Sequence, residues 1–143
     1  MTAFKEDWQL SQFWYDEATG TALANEAARV MASTPGRVAF VSAPTAFVHM
    51  KRLHPDVDSL LLEFDSRFEM YAPDFCLYDY NKPLELENDR ASAGSCAVVL
   101  LDPPFLSEEC FEKTSKTVKH LLAPGGKIIV CTGAEGALYS VWY

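Results

Sequence analysis

Asp102-Pro103-Pro104-Phe105 is the sharpest chemical signal in the chain. It directly follows the apolar run Cys96–Leu101 (CAVVLL), and an open α/β sheet binds its ligands just beyond the carboxyl ends of such strands. Consecutive prolines stiffen the turn and leave carbonyls without neighbouring N–H partners. One acid and outward-pointing carbonyls make a set of acceptors for an amino group. Phe105 adds a flat apolar face on which a base stacks or a methylene chain rests. This equipment holds an amine nitrogen in line with an electrophilic methyl group. A bare D-P-P triplet reads as a strand-ending turn with a capping acid; the aromatic fourth residue after an apolar strand tips the reading toward function.

Other strand ends carry acids. Glu63 or Asp65 follows the second apolar run and Asp79 the third, where an acid accepts hydrogen bonds from ribose hydroxyls. A solvated sheet edge would look the same. The turn after the first run, Val41-Ser42-Ala43-Pro44, has no glycine. Ser42 and Ala43 are small enough for a ligand to approach, but Pro44 removes an N–H that a phosphate cradle would use. That argues against the usual NAD and ATP readings and leaves a cofactor without phosphates. Phe13-Trp14-Tyr15 reads either as a lid on the core or as an aromatic flap over cofactor or substrate.

The elements that must position these residues follow from periodicity. Leu23, Ala27, Val30 and Met31 share one face of a helix over 17–31, and Thr34-Pro35-Gly36 stops it. Val38–Val41 is a buried strand, and Pro44 opens a helix toward Lys51. Ser59–Phe64 and Phe75–Tyr78 are strands, with a helical turn at 67–71 between them. Cys96–Leu101 is a strand covered on both faces. Ser107 caps a helix with Glu108 and Glu109 in its first turn and Phe111, Val118, Leu121 and Leu122 facing inward. Ala123–Gly126 ends that helix, and Lys127–Cys131 is the last clear strand. Apolar strands without alternation, joined by helical crossovers, indicate an open parallel α/β sheet.

Composition narrows the function classes. The chain has 143 residues, 49% hydrophobic, which suits a single domain over 1–143, with the order of the first ten residues left open. Twelve basic against twenty acidic residues give a net charge of −8, which disfavours binding nucleic acid through phosphates and favours a basic partner. Cys76, Cys96, Cys110 and Cys131 form no CxxC pair and the three histidines are scattered, so no metal site is expected and the thiols read as free and buried. The N-terminus MTAFKEDWQL is charged where a signal peptide is apolar, and no run approaches the roughly 20 residues that span a bilayer. A cytoplasmic monomer without membrane contact is expected, with the nucleus as the alternative location.

The segments SQFWYDEAT (11–19), VAFVSAPTAF (38–47), LLLEFDSRFEMYAPDFCLYDYNKP (60–83), LLDPPFLSEEC (100–110) and GKIIVCTG (126–133) resemble the eukaryotic elongation factor 1-alpha lysine methyltransferase 1 family. That family was first catalogued as putative adenine-specific DNA methyltransferases because of its D-P-P-F motif. The resemblance runs from about residue 11 to 134. It implies a Rossmann-like, class I methyltransferase using S-adenosylmethionine and acting on a lysine of elongation factor 1-alpha. By position, Ser42, Ala43 and Pro44 occupy the degenerate glycine-loop place. Glu63, Phe64 and Asp65 face the ribose, and Asp79 and Tyr80 lie near the adenine. Trp14 and Tyr15 match the N-terminal motif near the methionine end, and Asp102, Pro103, Pro104 and Phe105 line the reacting amine. The tail AEGALYSVWY does not match the family's continuation. A mostly parallel sheet of about five strands is therefore expected, with the last two of the usual seven missing and the fifth strand left as an open edge.

Three functions follow. The first is protein-lysine methylation, with desolvation lowering the amine pKa from its free value of about 10.4 and Asp102 positioning the nitrogen. The second is methylation of an adenine amino group on nucleic acid, with Phe105 stacking on an extruded base. The acidic charge opposes it. The third is a remnant of the lysine methyltransferase that does not turn over.

Overall fold

The helix expected at 17–31 forms over those residues as α1 (Glu17–Met31), with Leu23, Ala24, Ala27 and Val30 buried. β1 (Arg37–Val41), α2 (Pro44–Leu53), β2 (Ser59–Glu63), β3 (Phe75–Leu77), β4 (Cys96–Leu101), α3 (Glu108–Leu121), β5 (Leu122–Thr132) and β6 (Ala137–Trp142) follow, in a computed structural model that describes residues 17–102, 107–132 and 137–142. Trp14, Tyr15, Pro103, Pro104 and Phe105 lie outside the described residues. Among the described residues no helix is long and apolar enough to cross a membrane.

The strands form one sheet in the order β3-β2-β1-β4-β5-β6. The first five are parallel, with Val41 beside both Leu62 and Leu101. This is the expected open α/β sheet. Its strands lack alternation because both faces are covered. Val38, Phe40, Leu61, Val98 and Leu100 pack with α1 and α2, whereas Ala39, Val41, Leu60, Leu62, Val99 and Leu101 pack with Val118 and Leu121 of α3. Each of those large apolar side chains contributes roughly 1.5–3 kcal/mol by leaving water. α1 and α2 approach closely at Gly20, where an added Cβ would lie 2.9 Å from His49 Nδ1.

Three expectations are corrected. The tail supplies a sixth strand: β6 pairs antiparallel with β5 from Lys127 opposite Trp142 to Thr132 opposite Ala137, so the edge expected to be open at β5 is covered. Its sequence, ALYSVW, is rich in the β-branched and aromatic residues that favour strands. Phe111 does not face inward; it is exposed, one step round the helix from the buried stripe Cys110, Thr114, Thr117, Val118 and Leu121. Two of those stripe residues are threonines whose hydroxyls find partners inside, which is why a polar pair outcompetes a phenyl ring for the inner face. The strand after α3 also begins earlier than expected, at Leu122. Its pairing to β4 jumps from Leu122 to Lys127 across Ala123–Gly126, with Gly125 at φ 75°.

At the free edge of the sheet, Asn88 Nδ2 donates to the carbonyls of Pro73 (3.0 Å) and Phe75 (2.9 Å). That covers acceptors which a bare edge strand would offer to another chain. All four cysteines are buried and free.

Candidate active site

Sheet order decides which sequence-predicted residues meet. Three backbone bonds extend the ladder just past the strand ends. Ser42 N donates to Leu62 O (2.8 Å), Tyr78 N to Glu63 O (3.0 Å) and Asp102 N to Val41 O (3.0 Å). Tyr78–Tyr80, Glu63–Asp65, Ser42–Pro44 and Asp102 therefore stand in one row along the carboxyl edge, in the order β3-β2-β1-β4. At about 4.8 Å between neighbouring strands, the row spans roughly 14 Å. That length suits an extended ligand lying across the strand ends, with its ends over β3 and β4.

The middle of the row is β1. Ser42 adopts φ 56°, the left-handed region that glycine usually fills. The backbone thus makes the turn of a glycine loop without a glycine. Holding a serine there costs on the order of 1 kcal/mol, and such strain concentrates at functional turns. Ala43 and Pro44 are buried immediately behind it and lead into α2, which has no side-chain cap.

The three residues after β2 separate into different roles. Asp65 is buried and fully engaged: it accepts from Arg67 N (3.0 Å), Arg67 Nε (2.8 Å) and an Arg67 terminal nitrogen (2.6 Å), and so caps the 3-10 turn Ser66–Tyr71. Phe64 projects outward, 52% exposed. Glu63 is 5% exposed and accepts from Asp65 N at 2.7 Å. Burial pushes its carboxyl up from 4.5 to about 7; the Asp65 and Phe64 amides and the Arg67 guanidinium pull the other way. A carboxyl titrating near neutrality can both accept from and donate to a hydroxyl, and Glu63 is the better placed of the two acids for that task.

At the β3 end, Asp79 is half-buried and its Oδ1 accepts from Asn81 N at 2.9 Å. Tyr80 is half-buried against the apolar layer under α3, and the Lys113 ammonium sits 5.7 Å from its ring centre. Tyr78, which sequence reasoning left as a strand residue, is fully buried. Its hydroxyl bonds Thr117 Oγ1 at 2.7 Å, and burial pushes it up to about 12. The signal for this contact was present in the sequence as threonines 114 and 117 on the stripe of α3 that helical spacing assigns to the core. At the β4 end, Asp102 is half-buried and tied to β1 through its backbone N–H.

An open parallel sheet in this order, with small residues after β1 and acids after β2 and β3, defines the class I, Rossmann-like methyltransferase fold. Comparison agrees: the solved glycopeptide N-methyltransferase MtfA superposes with a TM-score of 0.57 over 78% of this chain and 52% of its own, at 19% identity. The chain belongs to the EEF1A lysine methyltransferase 1 family. The family model described as probable N6-adenine methyltransferase matches residues 6–138. The chain is 48% identical to EEF1A lysine methyltransferase 1 of Homo sapiens, over 91% of this chain and 59% of that protein. It is 46% identical to the Danio rerio protein of the same name, over 87% of this chain and 75% of that one. The chain thus spans about three fifths of the human relative's length.

Proposed function

We propose that this chain is an S-adenosylmethionine-dependent protein-lysine N-methyltransferase acting on eukaryotic elongation factor 1-alpha, in the cytoplasm and as a monomer. The observation that carries this reading is the 46% identity across three quarters of a relative so named. The geometry supports the cofactor: a glycine-like turn at Ser42 lets a ligand approach the backbone, and Glu63 and Asp79 stand beside it as acceptors for a nucleoside. Trp14 and Tyr15 complete the cofactor set and Pro103, Pro104 and Phe105 the amine set. The four buried free thiols support a reducing compartment.

When bound, the cofactor supplies an electrophilic methyl group on a sulfonium. The protein's work is placement. Asp102 accepts from the substrate amine and aims its lone pair, once a proton has left the ammonium, along the line of displacement. Such alignment accounts for several kcal/mol of barrier lowering. Transfer would exchange the methyl–sulfur bond for a methyl–nitrogen bond, the leaving group would be the neutral thioether, and the one proton released would be that lost by the ammonium before attack. The net charge of −8 favours encounter with a basic protein.

The family description points to adenine, and the same acceptors suit an exocyclic amine. The experiment is therefore a three-way assay of labelled methyl transfer by the chain to elongation factor 1-alpha, DNA and RNA. Label on a lysine of the factor, reduced at least a hundredfold by Asp102→Ala, is the expected result. Label on nucleic acid that weakens steeply with salt would establish the adenine reading instead, and no transfer to any of the three would leave a protein that does not turn over.

A further inference from the structure

The loop that carries Asp79 and Tyr80 is stitched to α3 by a buried hydroxyl chain. Thr117 Oγ1 lies 2.9 Å from Pro83 O, and a carbonyl only accepts, so the threonine proton goes there. The Tyr78 hydroxyl, 2.7 Å from the same oxygen, must then be the donor. The order is Tyr78 O–H to Thr117 O–H to Pro83 C=O, while the Thr114 hydroxyl donates to Cys110 O at 2.7 Å. Both threonines are fully buried. A second tie joins the same two segments at the surface: Lys113 Nζ donates to Asn81 Oδ1 at 2.7 Å and lies beside the Tyr80 ring. The hydroxyl chain therefore brackets the loop at both ends, Tyr78 and Pro83, while α3 itself follows Asp102–Phe105 in the chain.

We propose that Thr117 is a positioning residue for the reaction: its hydroxyl fixes the Asp79–Pro83 loop to α3, and so sets the β3 end of the carboxyl edge relative to the helix that issues from the D-P-P-F segment. This rests on the cofactor reading above. Apolar packing alone would hold α3 on the sheet, and Val118 and Leu121 already do so. What the threonine adds is direction. Buried hydrogen bonds have a narrow geometry, and a loop anchored by them has one arrangement rather than several.

Thr117→Val keeps the shape and removes both bonds; Thr117→Ser keeps the hydroxyl. Calorimetric titration of each with S-adenosylhomocysteine, at a temperature where both are folded by circular dichroism, should show at least tenfold weaker binding for the valine variant. The serine variant should stay within about twofold of the parent chain. Equal binding by the valine variant, or equal loss in both, would overturn the proposal, since the second pattern means the methyl packing matters and the hydroxyl does not. Amide exchange on the free proteins separates this from failure of the cofactor reading. If the parent chain binds no S-adenosylhomocysteine, that reading fails by itself. The clamp is then judged on the amides of Asn81 and Lys82, which donate to Asp79 Oδ1 and Asp79 O. They should exchange at least tenfold faster in Thr117→Val and at parent rates in Thr117→Ser; unchanged rates in both would refute the clamp. Should Thr117→Val not fold, Tyr78→Phe removes the other donor. A threefold or greater acceleration at Asn81 and Lys82 is then expected, and none would overturn the proposal.

Discussion

The two edges of the sheet handle their charges differently, although the carboxyl edge too holds one ion pair, Asp65 with Arg67. At the amino edge, the residues that open the strands are paired with one another. Arg37, at the start of β1, bonds Asp58 ahead of β2 (3.2 Å). Arg90 bonds both Asp58 and Asp74, and Lys51 at the end of α2 bonds Asp74. Arg37 also donates to the Arg90 carbonyl at 2.5 Å. The network links three strand starts, a helix end and the turn before β4. At the carboxyl edge, Glu63 is held by backbone amides, and burial keeps its carboxyl far from its ordinary range despite the opposing pull of Arg67. Beside it a serine sits at positive φ. One edge lowers the energy of the fold and the other keeps unfavourable features in place. Such features concentrate where a ligand uses them, and the contrast supports the proposed cofactor site at the carboxyl ends.

Glu63→Gln should sharpen the contrast most. The Glu63 pKa is raised in the folded protein, from 4.5 to about 7, so the folded state holds the proton more tightly than the unfolded chain. Stability should therefore be highest below about pH 4.5 as far as this group goes, and fall as pH rises toward and through 7. The loss should be on the order of 3 kcal/mol. Chemical denaturation of the glutamine variant from pH 5 to pH 9 should lack that fall, making it the more stable protein at the alkaline end. A parallel pH profile in both proteins would show that Glu63 ionises freely.

Arg90→Ala removes the centre of the amino-edge network and leaves two aspartates short of a cation. A loss of about 2 kcal/mol is expected, read as a lower Tm, with ligand binding at the other edge unchanged. If binding fell as well, the two edges would not be separable. The smallest effect belongs to Ser42→Gly, which relieves the left-handed strain and should stabilise by about 0.5–1 kcal/mol. Ser42→Val should destabilise by more than that, because a branched side chain resists positive φ. Equal Tm values for the two variants would contradict a strained turn.

Much of the fold was legible because double-sided burial leaves a plain mark. β1, β2 and β4 read as continuous apolar runs, and α1 was bounded by helical spacing on one side and Thr34-Pro35-Gly36 on the other. β6 was not legible, since an antiparallel strand at the end of a chain is specified by the neighbour it pairs with, here Lys127–Thr132. Phe111 misled because hydrophobicity alone does not register that Thr114 and Thr117 have hydrogen-bond partners inside. In the site, position along the strands was enough to choose Ser42, Glu63, Asp79 and Asp102, which the sheet order brings into one row. Which acid is free to act was not, because it depends on Arg67 folding back onto Asp65 and on how deeply Glu63 is buried. The absence of glycine after β1 also hid a turn whose backbone is glycine-like.

The central claim is that the carboxyl edge, and not the amino edge, binds the cofactor. A calorimetric titration of the chain with S-adenosylhomocysteine, beside Glu63→Ala and Arg90→Ala, tests it most directly. Saturable one-to-one binding that is lost in Glu63→Ala and kept in Arg90→Ala is the predicted result. No binding by the folded parent chain, or binding that survives Glu63→Ala and disappears in Arg90→Ala, would contradict it.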